Sequence, residues 1–71
     1  MHVDTPGPDG ATLLIIAAQN GWQKIVLELL RKGADPELYD NRGRCAEELA
    51  AKFNYFGILR LLRRAEELRQ V

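Results

Sequence analysis

The sequence predicts an all-α repeat stack, two αα-hairpins built to one pattern, leaning side by side and joined by a single projecting loop. Three observations predict it. Laid on itself with a shift of 33, the chain brings Gly10 onto Gly43, Ala17-Ala18 onto Ala50-Ala51, Ile25 onto Ile58, Leu29 onto Leu62 and Arg31 onto Arg64. Ile16 with Leu49, Trp22 with Tyr55 and Val26 with Leu59 are near matches, and a period of this length marks a repeat architecture. Apolar residues also recur at helical spacing in both copies, as in Ile25, Val26, Leu29 and Leu30. Between the copies, the stretch Gly33-Ala-Asp-Pro-Glu-Leu-Tyr-Asp-Asn-Arg-Gly43 reads as a helix stop, a short loop and a helix restart.

Residues 1–9 hold two prolines, a glycine and two aspartates without apolar periodicity, and are expected to be a flexible lead-in. Thr12 can cap a first helix over about 13–19, apolar nearly all round as befits a helix wedged between others. Asn20-Gly21 ends it. A second helix over about 22–32 turns Ile25, Val26, Leu29 and Leu30 to one face and Gln23, Lys24, Arg31 and Lys32 to water. Gly33 suits the left-handed residue that stops such a helix, and Pro36 preorganises the loop beyond it. A third helix over about 46–53 has Leu49, Ala50 and Phe53 as apolar contacts and Glu47 and Glu48 in its first turn, where the helix dipole favours negative charge. Asn54 takes the turn position of Gly21. A fourth helix over about 55–69 carries Ile58, Leu61, Leu62, Ala65 and Leu68 as its stripe, with Arg63 and Glu67 spaced as an i,i+4 pair.

Length and composition bound what this can be. Seventy-one residues make one domain at most, close to the size where a single core barely suffices, so stability must come from stacked helices. An apolar fraction of 46% with 28% charged residues is that of a soluble globular chain. No apolar run approaches the roughly 18–20 residues that span a bilayer, and the N-terminus lacks the order of a secretory signal. With one cysteine, Cys45, and hence no internal disulfide, an intracellular, cytoplasmic setting is expected, the nucleus remaining open. Formal net charge is zero, yet residues 1–40 carry three Lys/Arg against six Asp/Glu and residues 41–71 seven against four. That division would favour head-to-tail contact or steer a partner, within a screening length of about 8 Å.

The stretch Gly10-Ala-Thr-Leu-Leu-Ile-Ile-Ala-Ala-Gln-Asn-Gly21, followed by Ile25-Val26 and Leu29-Leu30-Arg-Lys-Gly-Ala-Asp35, resembles the ankyrin repeat. Gly43-Arg-Cys-Ala-Glu-Glu-Leu-Ala-Ala51, with Ile58 and Leu61-Leu62, resembles a second, terminal copy. The resemblance covers about residues 9–64 and implies repeats at about 10–42 and 43–71, forming one two-repeat domain over 10–71. It also implies that the 33–43 segment projects as a β-hairpin-like finger. No Gly-Ala-Asp step interrupts the last helix, as expected where an array ends. Leu13 and Ala46 stand where the family usually has proline, and Ile15 and Glu48 where it often has histidine, so the threonine-histidine brace of many ankyrin repeats cannot form.

The resemblance implies a non-catalytic module that binds a protein or peptide on its finger and inner-helix surface. By the family's pattern that surface falls on Tyr39, Asn41, Arg42, Arg44, Lys52 and Phe53, with Asp9, Ala11, Gln19 and Asn20 equivalent in the first repeat. Tyr and Arg are the types that most often anchor interfaces. The alternative is a self-associating or engineered assembly module. End repeats usually turn polar, yet Ile16 and Ile25 remain apolar, and with Leu13 and Phe56 they are the candidate self-association residues. Burial of each isoleucine is worth roughly 1.5–3 kcal/mol.

Chemistry finds little footing. Cys45 has no His or Asp at a catalytic local spacing and reads as a stand-in for threonine at a helix start, while the lone histidine, His2, lies in the lead-in. No Cys/His cluster suggests zinc, Asp35, Glu37 and Asp40 lack calcium-loop spacing and read as loop caps, and no glycine-rich phosphate loop occurs. Arg60, Arg63, Arg64 and Arg69 form a basic stretch that Glu66 and Glu67 dilute, so nucleic acid is not an expected partner. No cofactor, metal, membrane or small-molecule substrate is expected either.

Overall fold

Four helices carry the fold of the computed structural model, which describes residues 6–7 and 9–69: α1 (Leu13–Asn20), α2 (Gln23–Arg31), α3 (Ala46–Lys52) and α4 (Phe56–Arg69). Residues 1–5, with His2, and Pro8 lie outside the described residues, as does the Leu68 side chain. The helices begin and end within a residue or so of their expected places, and the caps show why. Thr12 is extended (φ −73°, ψ 165°), and its Oγ1 accepts a hydrogen bond from the Ile15 N–H at 3.3 Å, satisfying a donor that the first turn of α1 leaves unpaired. Cys45 holds the same place before α3 (φ −105°, ψ 170°) but makes no side-chain cap. There the negative charges of Glu47 and Glu48 in the first turn complement the helix dipole.

Three helix ends repeat one device. After α1, the Trp22 N–H donates to the Ala17 carbonyl at 2.9 Å and the Gly21 N–H to that of Ala18 at 3.4 Å. After α3, Tyr55 donates to Ala50 at 2.8 Å and Asn54 to Ala51 at 3.2 Å, the same bonds 33 residues on. After α2, Ala34 donates to Leu29 at 3.0 Å and Gly33 to Leu30 at 3.1 Å. Each needs one left-handed residue, supplied by Gly21 (φ 74°), Asn54 (φ 61°) and Gly33 (φ 91°).

The helices pack in two layers, α1 on α3 and α2 on α4, with each hairpin closed by α1 on α2 and α3 on α4. Leu14, Ile15, Val26 and Leu29 of the first hairpin and Leu49, Ile58 and Leu62 of the second form one buried cluster. Ala17, Ala18, Ala46 and Ala50, all buried, allow the inner helices to approach closely. Of the apolar residues assigned to the third helix, Leu49 and Ala50 are buried, but Phe53 lies past the end of α3 and is exposed.

Because the second hairpin is a translated copy of the first, a difference in burial between equivalent residues reports what the neighbouring hairpin covers. Leu13 is 48% and Ile25 43% exposed, whereas their copies Ala46 and Ile58 are each 1% exposed. Ile16 is half-buried and Trp22 exposed, against a buried Leu49 and a half-buried Tyr55 whose ring lies over Gly21. These positions therefore define a front face, covered by the first hairpin in repeat two and open in repeat one.

The opposite, rear face changes chemistry. Buried Leu14 and half-buried Leu30 of the first hairpin are replaced in the second by Glu47 and Arg63, and Arg63 Nε donates to Glu47 Oε1 at 3.3 Å. This corrects the expected Arg63–Glu67 pair: the partner lies across the helix pair on α3. Burial raises the pKa of neighbouring Glu66 above its ordinary value, helped by a hydrogen bond and charge repulsion from Glu47 and opposed by Arg63.

The described part of the lead-in is engaged with the domain. Gly7 donates to the Ala11 carbonyl and accepts from the Gly10 N–H, both at 2.9 Å. Among the described residues no helix is long and apolar enough to cross a membrane.

Candidate functional site

The loop between the hairpins is built around one carboxylate. Asp40 is buried, and its Oδ1 accepts from the Arg42 and Arg44 backbone N–H groups, each at 2.9 Å. Oδ2 accepts from Arg44 Nε at 3.0 Å and pairs with Nη2 at 2.9 Å. The Arg44 backbone bond, with the Arg44 side chain and the Arg42 N–H, holds the Asp40 pKa below its ordinary value against the opposing effect of burial. The Gly43 N–H closes the turn on the Asp40 carbonyl at 3.0 Å, the Asp40 N–H donates to the Arg44 carbonyl at 2.9 Å, and Tyr39 forms an isolated antiparallel bridge with Cys45. Farther back, the Glu37 N–H donates to Asp35 Oδ1 at 2.9 Å, and Pro36 is fully buried. Asp35 and Asp40 are thus local caps, as their spacing suggests, while Glu37 contributes its backbone N–H rather than its carboxylate.

This frame presents side chains rather than consuming all of them. Tyr39 is 63% exposed, and Arg42 and Asn41 are exposed beside it. The Asn41 N–H donates to the Asp9 carbonyl at 2.9 Å, tying the loop to the chain just before α1. That tie brings the two repeats' candidate residues together. Asp9, Ala11, Ile16 and Gln19, at and just before α1, and Arg42 and Arg44 of the loop line one cleft of about 250 Å³. Arg44 enters it half-buried, its guanidinium already paired with Asp40, and Arg42 adds an exposed guanidinium that makes no ion pair among the described residues. Asn20 stands apart, its amide donating to the Ile16 carbonyl at 2.8 Å.

Lys52 and Phe53 form a second presenting group at the end of α3. The Lys52 Nζ sits 5.7 Å from the Phe53 ring centroid, within cation-π range, and Phe53 tilts at 36° against Tyr55 with centroids 6.0 Å apart. Tyr55 is half-buried, so the exposed aromatic and its cation rest on a fixed support.

The four self-association candidates do not share a face. Leu13, Ile16 and Ile25 belong to the front, Ile16 also forming the rim of the cleft just described. Phe56, 64% exposed, is the copy of Gln23, and Gln23 faces backward: its Oε1 would lie 2.6 Å from a Cβ placed on Gly57. Phe56 accordingly lines a rear groove of about 600 Å³ on α4 with Leu59, Arg60, Arg63, Arg64 and Glu67. The shift that exposes this split was legible in the sequence, because residue 56 pairs with residue 23 at the same offset that defines the repeats.

Among the described residues no group of three or more His, Cys, Asp or Glu side chains could hold a metal ion. Cys45 is a free, half-buried thiol. What the surface offers is hydrogen-bond donors, a guanidinium and aromatic faces on a rigid frame.

A family model described as ankyrin repeats in three copies matches residues 1–70. The described residues supply two helix pairs, where that model counts three copies. No curated protein matches the chain.

Proposed function

The chain belongs to the ankyrin repeat family, whose members are generally protein-protein interaction modules, and from that premise we propose that it binds a protein or peptide non-covalently on its finger and inner-helix surface. The observation that carries the reading is Tyr39, 63% exposed on a loop that Asp40 fixes from within. An aromatic held out on a rigid support loses little conformational entropy when it is buried, which is what an interface anchor requires. Arg42 and the Lys52–Phe53 pair add directional and cation-π contacts around it, and the module needs neither cofactor nor metal for this. The single unbridged thiol of Cys45 supports a reducing, cytoplasmic compartment.

The test is site-specific cross-linking. With a photoreactive phenylalanine analogue at Tyr39, irradiation should give discrete protein adducts that disappear when Arg42→Ala is added. The same analogue at Leu27, in the groove between α2 and α4, should give none of them. Equal adducts at both positions, or none at Tyr39, would contradict the reading. With the partner in hand, Tyr39→Ala with Arg42→Ala should weaken binding by at least about tenfold and leave the melting temperature unchanged.

A second reading, self-association, is favoured by one observation: Leu13 and Ile25 stand exposed where their copies Ala46 and Ile58 are buried. On this reading the assembly is a homo-oligomer.

A further inference from the structure

We propose that the outer seam between α2 and α4 takes an acidic amphipathic helix of a partner protein, with its apolar stripe in the seam and its carboxylates on Arg31 and Arg64. This surface is separate from the finger and goes beyond the reading above. The seam is a groove of about 410 Å³ whose apolar lining is Leu27, Leu30, Ala34, Leu61 and Ala65. Stacking of the hairpins accounts for only part of that lining. Ala34 is buried and Leu30, Leu61 and Ala65 are half-buried, but Leu27 stays 37% exposed. The repeat offset supplies the comparison. The copies of Leu27, Leu30 and Ala34 are Arg60, Arg63 and Glu67, and those of Leu61 and Ala65 are Glu28 and Lys32, all of them exposed. Where these positions face water the chain uses charge; at the seam it uses five apolar side chains and covers them incompletely.

The walls of the groove are cationic. Arg31 and Arg64 are copies of one another, so each helix contributes one guanidinium, and no lining side chain among the described residues is a carboxylate. Arg64 makes no ion pair among the described residues. Arg31 has Glu28 at 3.8 Å, with the two side chains 70% and 61% exposed, a contact worth little in water. Arg64 also lines the rear groove, where Arg60 and Arg63 stand against Glu67, so the positive charge continues past the seam.

Shape and chemistry together select the occupant. Leu27, Leu30, Arg31 and Ala34 are spaced i, i+3, i+4 and i+7, so the groove runs alongside α2 for about two turns, or ~10 Å. A helix laid in it sets its own apolar stripe on the floor, and carboxylates bordering the stripe meet one guanidinium on each wall. Arginine binds a carboxylate through two parallel hydrogen bonds, which fixes the orientation of the helix as well as its charge. An anionic membrane surface fits less well, because the apolar groups form a floor between two helices and do not protrude. Nucleic acid would satisfy the arginines but brings no aliphatic stripe to Leu27 and Leu61.

The experiment is an NMR titration of the full chain with two synthetic peptides that share one leucine stripe at i, i+3, i+4 and i+7, flanked by glutamates in one and by lysines in the other. The glutamate peptide should saturate below about 1 mM, with the largest amide shifts at Leu27, Leu30, Leu61 and Ala65, and the lysine peptide should bind at least about tenfold more weakly. Arg31→Gln with Arg64→Gln should weaken the glutamate peptide about tenfold. Leu27→Gln, at an exposed position, should weaken it comparably without loss of helix by circular dichroism. Tyr39→Ala with Arg42→Ala should leave it unchanged, so that this site and the finger stand or fall separately. Equal affinity for the two peptides, no saturation, or largest shifts on the finger overturns the proposal. Binding of phosphatidylglycerol vesicles or a short DNA duplex that Leu27→Gln abolishes, or a doubling of mass that it abolishes, overturns it too by assigning the seam to a lipid surface, to nucleic acid or to a second copy.

Discussion

Asp40 does for the loop what a capping residue does for a helix: one carboxylate satisfies two backbone N–H groups and locks an arginine, so the neighbouring side chains can be held outward. Its folded pKa lies below the ordinary 3.8. The stability it contributes is therefore fully present above 3.8 and fades as pH falls through the folded value. Asp40→Asn should melt below the wild type at neutral pH, and the two melting curves should converge in acid. Glu66 has the opposite sign. Its pKa is raised above 4.5, so its favourable contribution is present below 4.5 and is lost as pH rises through the raised value. Glu66→Gln should melt above the wild type at neutral pH and alongside it below pH 4.5. Cys45 offers a constructive test, since it stands at a cap position without a cap. Cys45→Thr should add about 0.5–1 kcal/mol in urea titrations by supplying the bond that Thr12 makes in the first repeat.

Turns show how much a helix end depends on what approaches it. Gly21 and Gly33 are both left-handed, but a Cβ on Gly21 would sit 3.0 Å from the Tyr55 ring, whereas one on Gly33 would meet nothing within 4 Å. Gly33→Ala should lose about 1–2 kcal/mol from backbone strain alone. Gly21→Ala should lose more, with Tyr55 displaced, and its fluorescence gives a direct readout. Helix ends were legible in the sequence because they are local: Thr12, Gly21, Gly33 and Asn54 each act within a few residues. The Arg63–Glu47 bond was not, since an i,i+4 spacing is visible in one dimension and a partner on another helix is not. Nor could spacing reveal that Arg44 is occupied by Asp40, or that Gly7 and Asp9 of the lead-in are hydrogen-bonded into the domain.

The described residues form one hairpin used twice, with different chemistry on its two outer faces. The rear turns polar through Glu47 and Arg63, while the front keeps Leu13, Trp22 and Ile25. A repeat cannot bury its apolar face alone, so equal residues have unequal worth according to whether a neighbour covers them. The measurement that tests this most directly is a pair of urea titrations at low micromolar protein on Ile25→Ala and Ile58→Ala, the same residue 33 positions apart. Ile25, 43% exposed, should lose under about 1 kcal/mol, and Ile58, 1% exposed, about 2–5 kcal/mol, a large share of so small a domain's stability. Equal losses at the two sites would contradict the stacked-hairpin account.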